Sequence, residues 1–177
     1  MPELIAPDVR VQRSFLEAMA EFQLEGRGGP SDNTMIGDEI REFGASWSTP
    51  AGFAAFVAVL QAHARGEQVP DGFVACTTLW WVGEDEYLGR IAIRHELTAR
   101  LLEVGGHIGY DIRPTARRRG HARAMLRAAL PVARGIGIER ALVTCDVENV
   151  ASRKIIESCG GELADERSGK LRFWLPT

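Results

Sequence analysis

The sequence predicts a single α/β (α+β) domain organised around a mixed β-sheet. Its 177 residues suffice for one well-buried domain and are few for two. In the second half of the chain a strand, a helix, a strand and a helix follow one another, which predicts a parallel strand pair with a right-handed crossover. Predicted hairpins before and after this unit add antiparallel strands. We therefore expect one domain over residues 1–177.

The N-terminal third predicts two helices separated by a loop. Residues 8–24 form the first helix, because their large apolar side chains recur on one helical face. Thr49 can cap the second helix, and Pro50 suits its first position. Residues 25–50 are rich in Gly, Ser, Pro and Asp, and we expect a structured loop with a short helical stretch near residues 37–43.

The middle of the chain predicts a hairpin, a strand and a helix. Residues 72–82 and 87–94 are rich in β-branched and aromatic residues and predict an antiparallel hairpin. Residues 107–112 predict the next strand. An apolar helical face predicts a helix over residues 122–134, in which Pro131 should cause a kink or an early end.

The C-terminal part completes the strand and helix pattern. Residues 141–147 are nearly all apolar or β-branched, which is typical of a strand buried on both faces. Residues 149–159 predict a helix closed by two glycines. Residues 162–165 and 170–175 predict a final hairpin.

The composition excludes several classes of protein. The net charge of −3 provides no global field that would attract nucleic acid or an anionic membrane. The sequence has no run of about 18 apolar residues and no signal-peptide pattern at its start. Three widely spaced cysteines argue against a zinc site and a disulfide framework. We therefore expect a reduced, cytoplasmic protein with no metal, no nucleic acid and no membrane partner.

The most informative segment joins the predicted strand 107–112 to the helix that follows it. Pro114 breaks the strand, three successive arginines at 117–119 follow, and Gly120 stands before the helix. A helix N-terminus presents unpaired backbone N–H groups and a partial positive charge. A glycine there lets the backbone approach an anion closely. The segment therefore predicts an anion pocket that suits a pyrophosphate.

Other interpretations of this segment are a solvated surface loop and a nucleic-acid patch. A nucleic-acid patch would require a more basic chain with interleaved aromatic residues. The glycines at 105–109 precede a strand, so they do not form a dinucleotide-binding fingerprint, and no phosphate-loop motif is present. The arginines that such a patch would use are Arg113, Arg117, Arg118, Arg119, Arg123 and Arg127.

Two motifs in register resemble those of one family. The segment Arg117-x-x-Gly120-x-Ala122 matches the R/Q-x-x-G-x-G/A pattern of the GNAT superfamily of N-acetyltransferases. About 30 residues later, Asn149 and Ser152 begin a helix after a buried strand, which resembles the second motif of that superfamily.

The resemblance covers roughly residues 105–165 and implies a fold, a cofactor and a reaction. The implied fold is a GNAT-like domain with a mixed central sheet of about six or seven strands, a splayed parallel pair and helices on both faces. Acetyl-CoA, as co-substrate, would lie between strands 107–112 and 141–147, and no metal is implied. The implied cofactor-binding residues are Ile112, Arg117, Arg118, Arg119, Gly120, His121, Ala122, Asn149 and Ser152.

The implied reaction is direct attack of a primary amine on the thioester, with acetyl transfer to the amine. The backbone N–H of Ile112 is the expected donor to the developing oxyanion. A general base is needed because an alkylamine is mostly protonated at neutral pH. Asp111 and His107 are the expected catalytic side chains, and two further base candidates, Glu96 and Asp146, stay open.

The acid that protonates the leaving thiolate is not assigned by the resemblance. Many relatives carry a Tyr seven residues after the motif Asn, and this chain has Ile156 there. The alternatives are water and three side chains of this sequence, Tyr110, Cys145 and Ser158. A thiol with a pKa near 8.5 leaves readily enough that activity need not depend on this group.

The resemblance implies that the first two helices and their connection form the wall of the acceptor pocket. Acidic and aromatic residues there would suit a cationic amine, although such residues more often form a solvated acidic loop: Asp32, Asp38, Glu39, Glu42 and Trp47. Adjacent Trp80 and Trp81 should point to opposite faces of their strand. We expect a small-molecule or protein amine as acceptor and a homodimer as a common assembly among such proteins. The alternative function is a non-catalytic acyl-CoA-binding sensor.

Overall fold

The computed structural model describes all residues from Met1 to Thr177. Seven strands form one sheet: β1 Glu3–Ile5, β2 Cys76–Gly83, β3 Glu86–Arg94, β4 Ile108–Ile112, β5 Arg140–Asp146, β6 Glu162–Arg167 and β7 Lys170–Pro176. Six α-helices surround it: α1 Gln12–Leu24, α2 Met35–Phe43, α3 Pro50–Ala64, α4 Ala99–Glu103, α5 His121–Gly135 and α6 Val150–Ser158.

The sheet is mixed, as the sequence predicts. The strand order is β1-β2-β3-β4-β5-β7-β6, and only the β4–β5 neighbours are parallel. The crossover between them is helix α5, which fits the predicted strand–helix–strand unit. The predicted fold class is therefore confirmed.

Helices cover both faces of the sheet and create two separate cores. On one face, α1, α2 and α3 enclose an aromatic cluster that includes Phe15, Phe56 and Trp80. On the other face, α5 and α6 pack on aliphatic residues of the sheet, and Trp81 belongs to that core. The two adjacent tryptophans therefore point to opposite faces, as predicted, and both are buried.

The parallel pair is held together at one end only. Ile108 and Val143 are the single register pair between β4 and β5, whereas β5 pairs with β7 along its whole length. His107 closes this end: its N–H donates to the Leu142 carbonyl at 2.7 Å, and its Nδ1 accepts from the Leu142 N–H at 2.9 Å. Beyond Ile108 the strands separate, which confirms the predicted splayed pair.

The structure corrects several predicted boundaries. Helix α5 continues through Pro131 to Gly135, so the predicted early end is wrong. Proline lacks an N–H and its ring crowds the carbonyl four residues earlier, but Ala129 and Ala133 on either side of it are fully buried against the sheet, and this packing holds the helix. Strand β2 begins at Cys76 instead of residue 72, because residues 70–73 form a turn.

Two short elements, β1 and α4, were not predicted at all. The predicted cap of α3 is confirmed, because the Thr49 side chain accepts from the Gly52 N–H at 3.1 Å. No helix of the structure has the length and apolar character needed to cross a membrane.

Candidate active site

The separation of β4 and β5 leaves backbone groups of β4 facing an opening. The Arg113 N–H donates to the Leu88 carbonyl of β3 at 2.9 Å. Because backbone groups alternate in direction along an antiparallel strand, those of Tyr110 and Ile112 point away from β3, toward β5. The Ile112 carbonyl accepts from Arg117 Nε at 3.1 Å. The Ile112 N–H has no ladder partner in β5, because β4 and β5 pair only at Ile108, so it is a donor at the edge of the opening.

The loop after β4 arranges a row of free backbone donors. Arg118 and Gly120 both have left-handed backbone conformations, with φ of 62° and 83°, and α5 begins directly afterwards. Ala124 is the first residue of α5 whose N–H donates to a backbone carbonyl, that of Gly120 at 3.1 Å. The N–H groups of residues 118–123 have no acceptor within the protein. They meet the positive end of the α5 dipole, which favours an anion there.

The space in front of this loop is open and positively charged. A Cβ placed on Gly120 would meet no atom within 4 Å. Arg118, Arg119 and Arg123 are exposed and make no ion pair within the protein. An incoming anion would therefore find free N–H groups and unpaired guanidinium groups on the same surface.

Arg117 differs from the other arginines of the loop. Its guanidinium makes two 2.7 Å hydrogen bonds to the Glu25 carboxylate and lies over the Phe22 ring at 6.0 Å. Its charge is thus neutralised by α1 instead of facing the open space. The side chain of His121 is also occupied, since its Nδ1 accepts from Trp81 Nε1 at 3.2 Å. Ala122, in the first turn of α5, packs against the core.

The far side of the opening is formed by the first turn of α6. The Asn149 side chain caps this helix by accepting from the Ser152 N–H at 3.0 Å. The Ser152 Oγ lies 2.7 Å from the Tyr110 hydroxyl, so the two side chains connect β4 to α6. Burial raises the pKa of Tyr110 to about 12, and its hydroxyl therefore stays protonated at neutral pH.

The other candidate acids lie elsewhere. Ile156 is fully buried in the core and offers no polar group. The Ser158 hydroxyl donates to the Ile155 carbonyl at the C-terminal end of α6. Cys145 is buried at the end of β5, where burial raises the pKa of its thiol. Among these side chains, only that of Tyr110 spans the opening.

A polar cluster occupies the face of β4 that α1 and α2 cover. Asp111 is the register partner of Arg90 on β3, and Arg27, from the loop after α1, lies 3.5 Å from the Asp111 carboxylate. Glu39 of α2 pairs with Arg90, whose side chain is almost completely buried. Burial raises the pKa of Asp111, an effect that the neighbouring Arg90 and Arg27 oppose. Burial likewise raises the pKa of Glu39.

The structure brings only part of the predicted acceptor wall to this cluster. Asp32 lies 3.9 Å from Arg27; burial raises the pKa of its carboxyl, but the Gly28 and Thr34 hydrogen bonds lower it overall. Asp38 pairs with a neighbouring arginine on the exposed side of α2, and Glu42 is exposed. Trp47 is buried among the aromatic residues of the α1 face.

The remaining base candidates do not join Asp111. His107 holds the junction of β4 with Leu142 of β5, and burial lowers the pKa of its imidazole. Glu96 is exposed in the turn after β3. Asp146 lies 2.6 Å from the Lys170 ammonium at the end of β5. The structure contains no group of His, Cys, Asp and Glu side chains that could hold a metal ion.

Several residues of the site were not predicted from the sequence. Arg90 interrupts an otherwise apolar strand, and an arginine in such a run usually has a buried acidic partner, so this signal was available. Arg27 and the α1 carboxylates Glu21 and Glu25 gave no signal, because only the path of the chain brings them to β4 and its loop.

Comparison with known proteins gives a family and a fold. A family model described as "Acetyltransferase (GNAT) domain" matches residues 33–162. No curated protein sequence matches the chain. RimJ from Mycobacterium smegmatis, in complex with CoA-disulfide, is 16% identical with a TM-score of 0.67, over 98% of this chain and 81% of that chain.

Two further solved structures are similar over nearly their whole length. The microcin C7 self-immunity acetyltransferase MccE, in complex with acetyl-CoA and AMP, is 12% identical with a TM-score of 0.65, covering 98% of this chain and 91% of that one. The Salmonella typhimurium acetyltransferase that modifies the N-terminal serine of ribosomal protein L7/L12 is 15% identical with a TM-score of 0.60, covering 99% and 95%. At these identities the similarity shows the fold.

The family match covers more than half of the chain and includes the strands, the loop and the helices that form the opening. The matched residues include both sequence motifs, one at the start of α5 and one at the start of α6. On this evidence the chain belongs to the GNAT family of acetyltransferases.

Proposed function

We propose that this protein transfers the acetyl group of acetyl-CoA to a primary amine at the opening between β4 and β5. The proposal rests mainly on the row of free N–H groups at residues 118–123, which lies at the start of α5 beside the opening. MccE and RimJ, which share the fold, bind acetyl-CoA and a CoA-disulfide respectively. These complexes support a CoA thioester as the ligand.

The residues present fit the parts of acetyl-CoA. The backbone N–H groups of residues 118–122 would bind the pyrophosphate, with added charge from Arg118 and Arg119. The outward-facing backbone of Tyr110 would pair with the pantetheine amides as an added strand does, which leaves the Ile112 N–H for the reacting thioester. Asn149 and Ser152 would border the pantetheine from α6. In this assignment Arg117, His121 and Ala122 contribute through their backbone, since their side chains contact the protein.

Asp111 is the proposed general base. Its side chain leaves β4 on the face covered by α2, beside the edge at which the Ile112 N–H is free. A carboxylate whose pKa is raised by burial is a stronger base than an exposed one, which suits removal of a proton from an amine. His107 would act as the structural junction of the splayed strands, because its Nδ1 is already an acceptor for Leu142.

Ile112 and Tyr110 would act on opposite ends of the thioester. The Ile112 N–H would stabilise the oxyanion that develops when the amine nitrogen attacks the carbonyl carbon, a contribution of about 10²–10³ in rate for one such donor. The Tyr110 hydroxyl would donate its proton to the sulfur as the carbon–sulfur bond breaks. The Ser152 hydroxyl, 2.7 Å away, could then return a proton to the phenolate oxygen and be replenished from water.

The proposed acceptor is a small-molecule or protein amine. The carboxylates of Asp32, Glu39 and Asp111 near the opening would attract a cationic group, while Arg27 and Arg90 limit the excess negative charge. The Salmonella relative acts on a protein N-terminus, which supports including peptides with free N-termini among the acceptors tested. A single catalytic domain over residues 1–177, a cytoplasmic location and a homodimer stay predictions.

The test is calorimetric titration with acetyl-CoA beside a thiol-release assay over polyamines, aminoglycosides, amino acids and peptides. Binding with thiol release that depends on one class of amine supports the transferase and identifies its acceptor. Binding without release across the whole panel favours the acyl-CoA sensor. Absence of acetyl-CoA binding contradicts both functions.

A further inference from the structure

Carboxylates recur at four-residue spacing along one face of α1 and at its C-terminal cap, Glu25, and two of them hold the loop between β4 and α5. The Glu21 carboxylate accepts from Arg113 Nε at 2.7 Å and from the Thr115 N–H at 3.0 Å. It also contacts the Thr115 hydroxyl, at 2.9 Å for the nearer oxygen. One turn later, Glu25 makes its two 2.7 Å hydrogen bonds to Arg117.

The contact between Glu21 and Arg113 is largely shielded from solvent, whereas that between Glu25 and Arg117 is exposed. The Arg113 side chain is 10% exposed and that of Glu21 is 19% exposed. Burial raises the pKa of Glu21, but hydrogen bonds from Thr115 and Arg113 lower it overall, so the carboxylate stays ionised at neutral pH. Hydrogen bonds to a charged group in such surroundings are stronger than exposed ones.

The contacts divide the loop into a held half and a free half. Residues 113, 115 and 117 are bound to α1, whereas the N–H groups of residues 118–123 have no acceptor. The transition occurs at Arg118, a non-glycine residue in the left-handed conformation. A non-glycine residue keeps this strained conformation when neighbouring contacts hold it there. Here those contacts are the hydrogen bonds made by residues 113, 115 and 117.

We infer that Glu21 and Glu25 are positioning residues that hold the 118–123 loop in its anion-binding conformation before the cofactor arrives. The inference rests on the proposed function, since it assigns the pyrophosphate to that loop. Glu21 does not touch the ligand in this account. It acts through Arg113 and Thr115, and lowers the entropy that the loop would otherwise lose on binding.

A positioning role and simple electrostatics predict opposite changes in CoA affinity when Glu21 is replaced. Replacing Glu21 with Gln removes a negative charge near an anion site, so Coulomb attraction alone would make CoA bind more tightly. Loss of the carboxylate contacts should instead loosen the loop and weaken binding. We expect CoA affinity to fall about 10-fold, the effect of losing one charge-assisted hydrogen bond.

The experiment measures affinity by calorimetry for two ligands, acetyl-CoA and 3′-phosphoadenosine 5′-diphosphate, which retains the pyrophosphate without pantetheine. The variants are Glu21→Gln and Glu25→Gln, and the matched control is Glu17→Gln. Glu17 lies on the same helix face, carries the same charge and is 50% exposed; it pairs with the exposed Arg13 at 3.3 Å and lies 3.6 Å from Arg113. Thermal melting of each variant reports its folding.

The expected result is about 10-fold weaker binding of both ligands by Glu21→Gln, a loss of the same sign for Glu25→Gln, and a change below about twofold for Glu17→Gln. A lower melting temperature with unchanged or tighter affinity overturns the inference, because a merely structural role would give that result. If Glu21→Gln does not fold, Glu25→Gln and Thr115→Val decide by the same criterion. Wild-type protein that binds neither ligand refutes the proposed function itself, whereas wild-type binding with unaffected variants refutes only this inference.

Discussion

The hydroxyl of Tyr110 on β4 and that of Ser152 on α6 form a 2.7 Å hydrogen bond across the opening of the sheet. This bond places a protonated phenol beside the position proposed for the thioester sulfur. The residue at which many relatives carry a tyrosine is Ile156, which is fully buried one turn further along α6. Tyr110 therefore contacts α6 one turn before that position.

Tyr110→Phe tests this role. We expect thiol release at saturating substrates to fall about 10- to 100-fold, near the lower end of general-acid effects, because a thiol is already a tolerable leaving group. Acetyl-CoA affinity measured by calorimetry should change by less than about threefold, since the pyrophosphate contacts are untouched. Ser152→Ala, which keeps the phenol, should cost less. Full activity in Tyr110→Phe would assign protonation of the sulfur to water.

Asp111→Asn tests the general base. We expect a loss of about 10²–10⁴ in kcat/KM with little change in acetyl-CoA affinity. Asp38→Asn is the matched control, because Asp38 lies on the exposed side of α2. Equal activities of the two variants would remove Asp111 from the mechanism.

The pH profile gives an independent prediction for the same residue. The base must be deprotonated to act, so kcat/KM should rise with pH through the pKa of Asp111. Burial raises that pKa, and the midpoint should therefore lie above the value of about 3.9 for an exposed aspartate. This rise of kcat/KM with pH, the acidic limb of the profile, should be absent from the residual activity of Asp111→Asn. A limb that persists unchanged in this variant would belong to another group.

His107 predicts a dependence of stability on pH. Burial lowers the pKa of its imidazole in the folded protein, so the unfolded chain binds a proton more readily. Its contribution is therefore fully present above the unfolded pKa of about 6.5 and is lost as pH falls below that value. His107→Asn, whose amide oxygen can still accept from Leu142 but does not titrate, should lose less stability between pH 7 and pH 5. His63→Asn is the control, and identical pH dependence in wild type and His107→Asn would contradict the account.

The parts of the fold that could be predicted from the sequence are those with a local signal. Thr49 with Pro50 marked the start of α3, and Asn149 marked that of α6, because capping depends on residues within one turn. The start of α5, at His121, was predicted to within one residue from the apolar face of the helix. Strand β1, with three residues, and helix α4, with five, are too short to show a period.

The parts of the site that could not be predicted depend on contacts between distant segments. Glu21 and Arg113 are separated by 92 positions in the chain, and no local pattern relates them. The contact of Arg27 with Asp111 likewise requires the loop after α1 to cross β4. Asp111 and His107 were both predicted as catalytic side chains. In the fold, Asp111 belongs to a cluster of charged residues, whereas His107 holds the junction between two strands.

Binding of the acetyl-CoA pyrophosphate by the backbone at the start of α5 can be tested by comparing the acetyl-CoA affinities of Gly120→Val and Gly160→Val. Both glycines have positive φ, 83° and 93°, and a Cβ on either meets no atom within 4 Å, so backbone strain and loss of stability should be similar. We predict that Gly120→Val abolishes calorimetric binding while Gly160→Val, at the end of α6, retains wild-type affinity. A folded Gly120→Val protein that binds acetyl-CoA as tightly as Gly160→Val would contradict the claim.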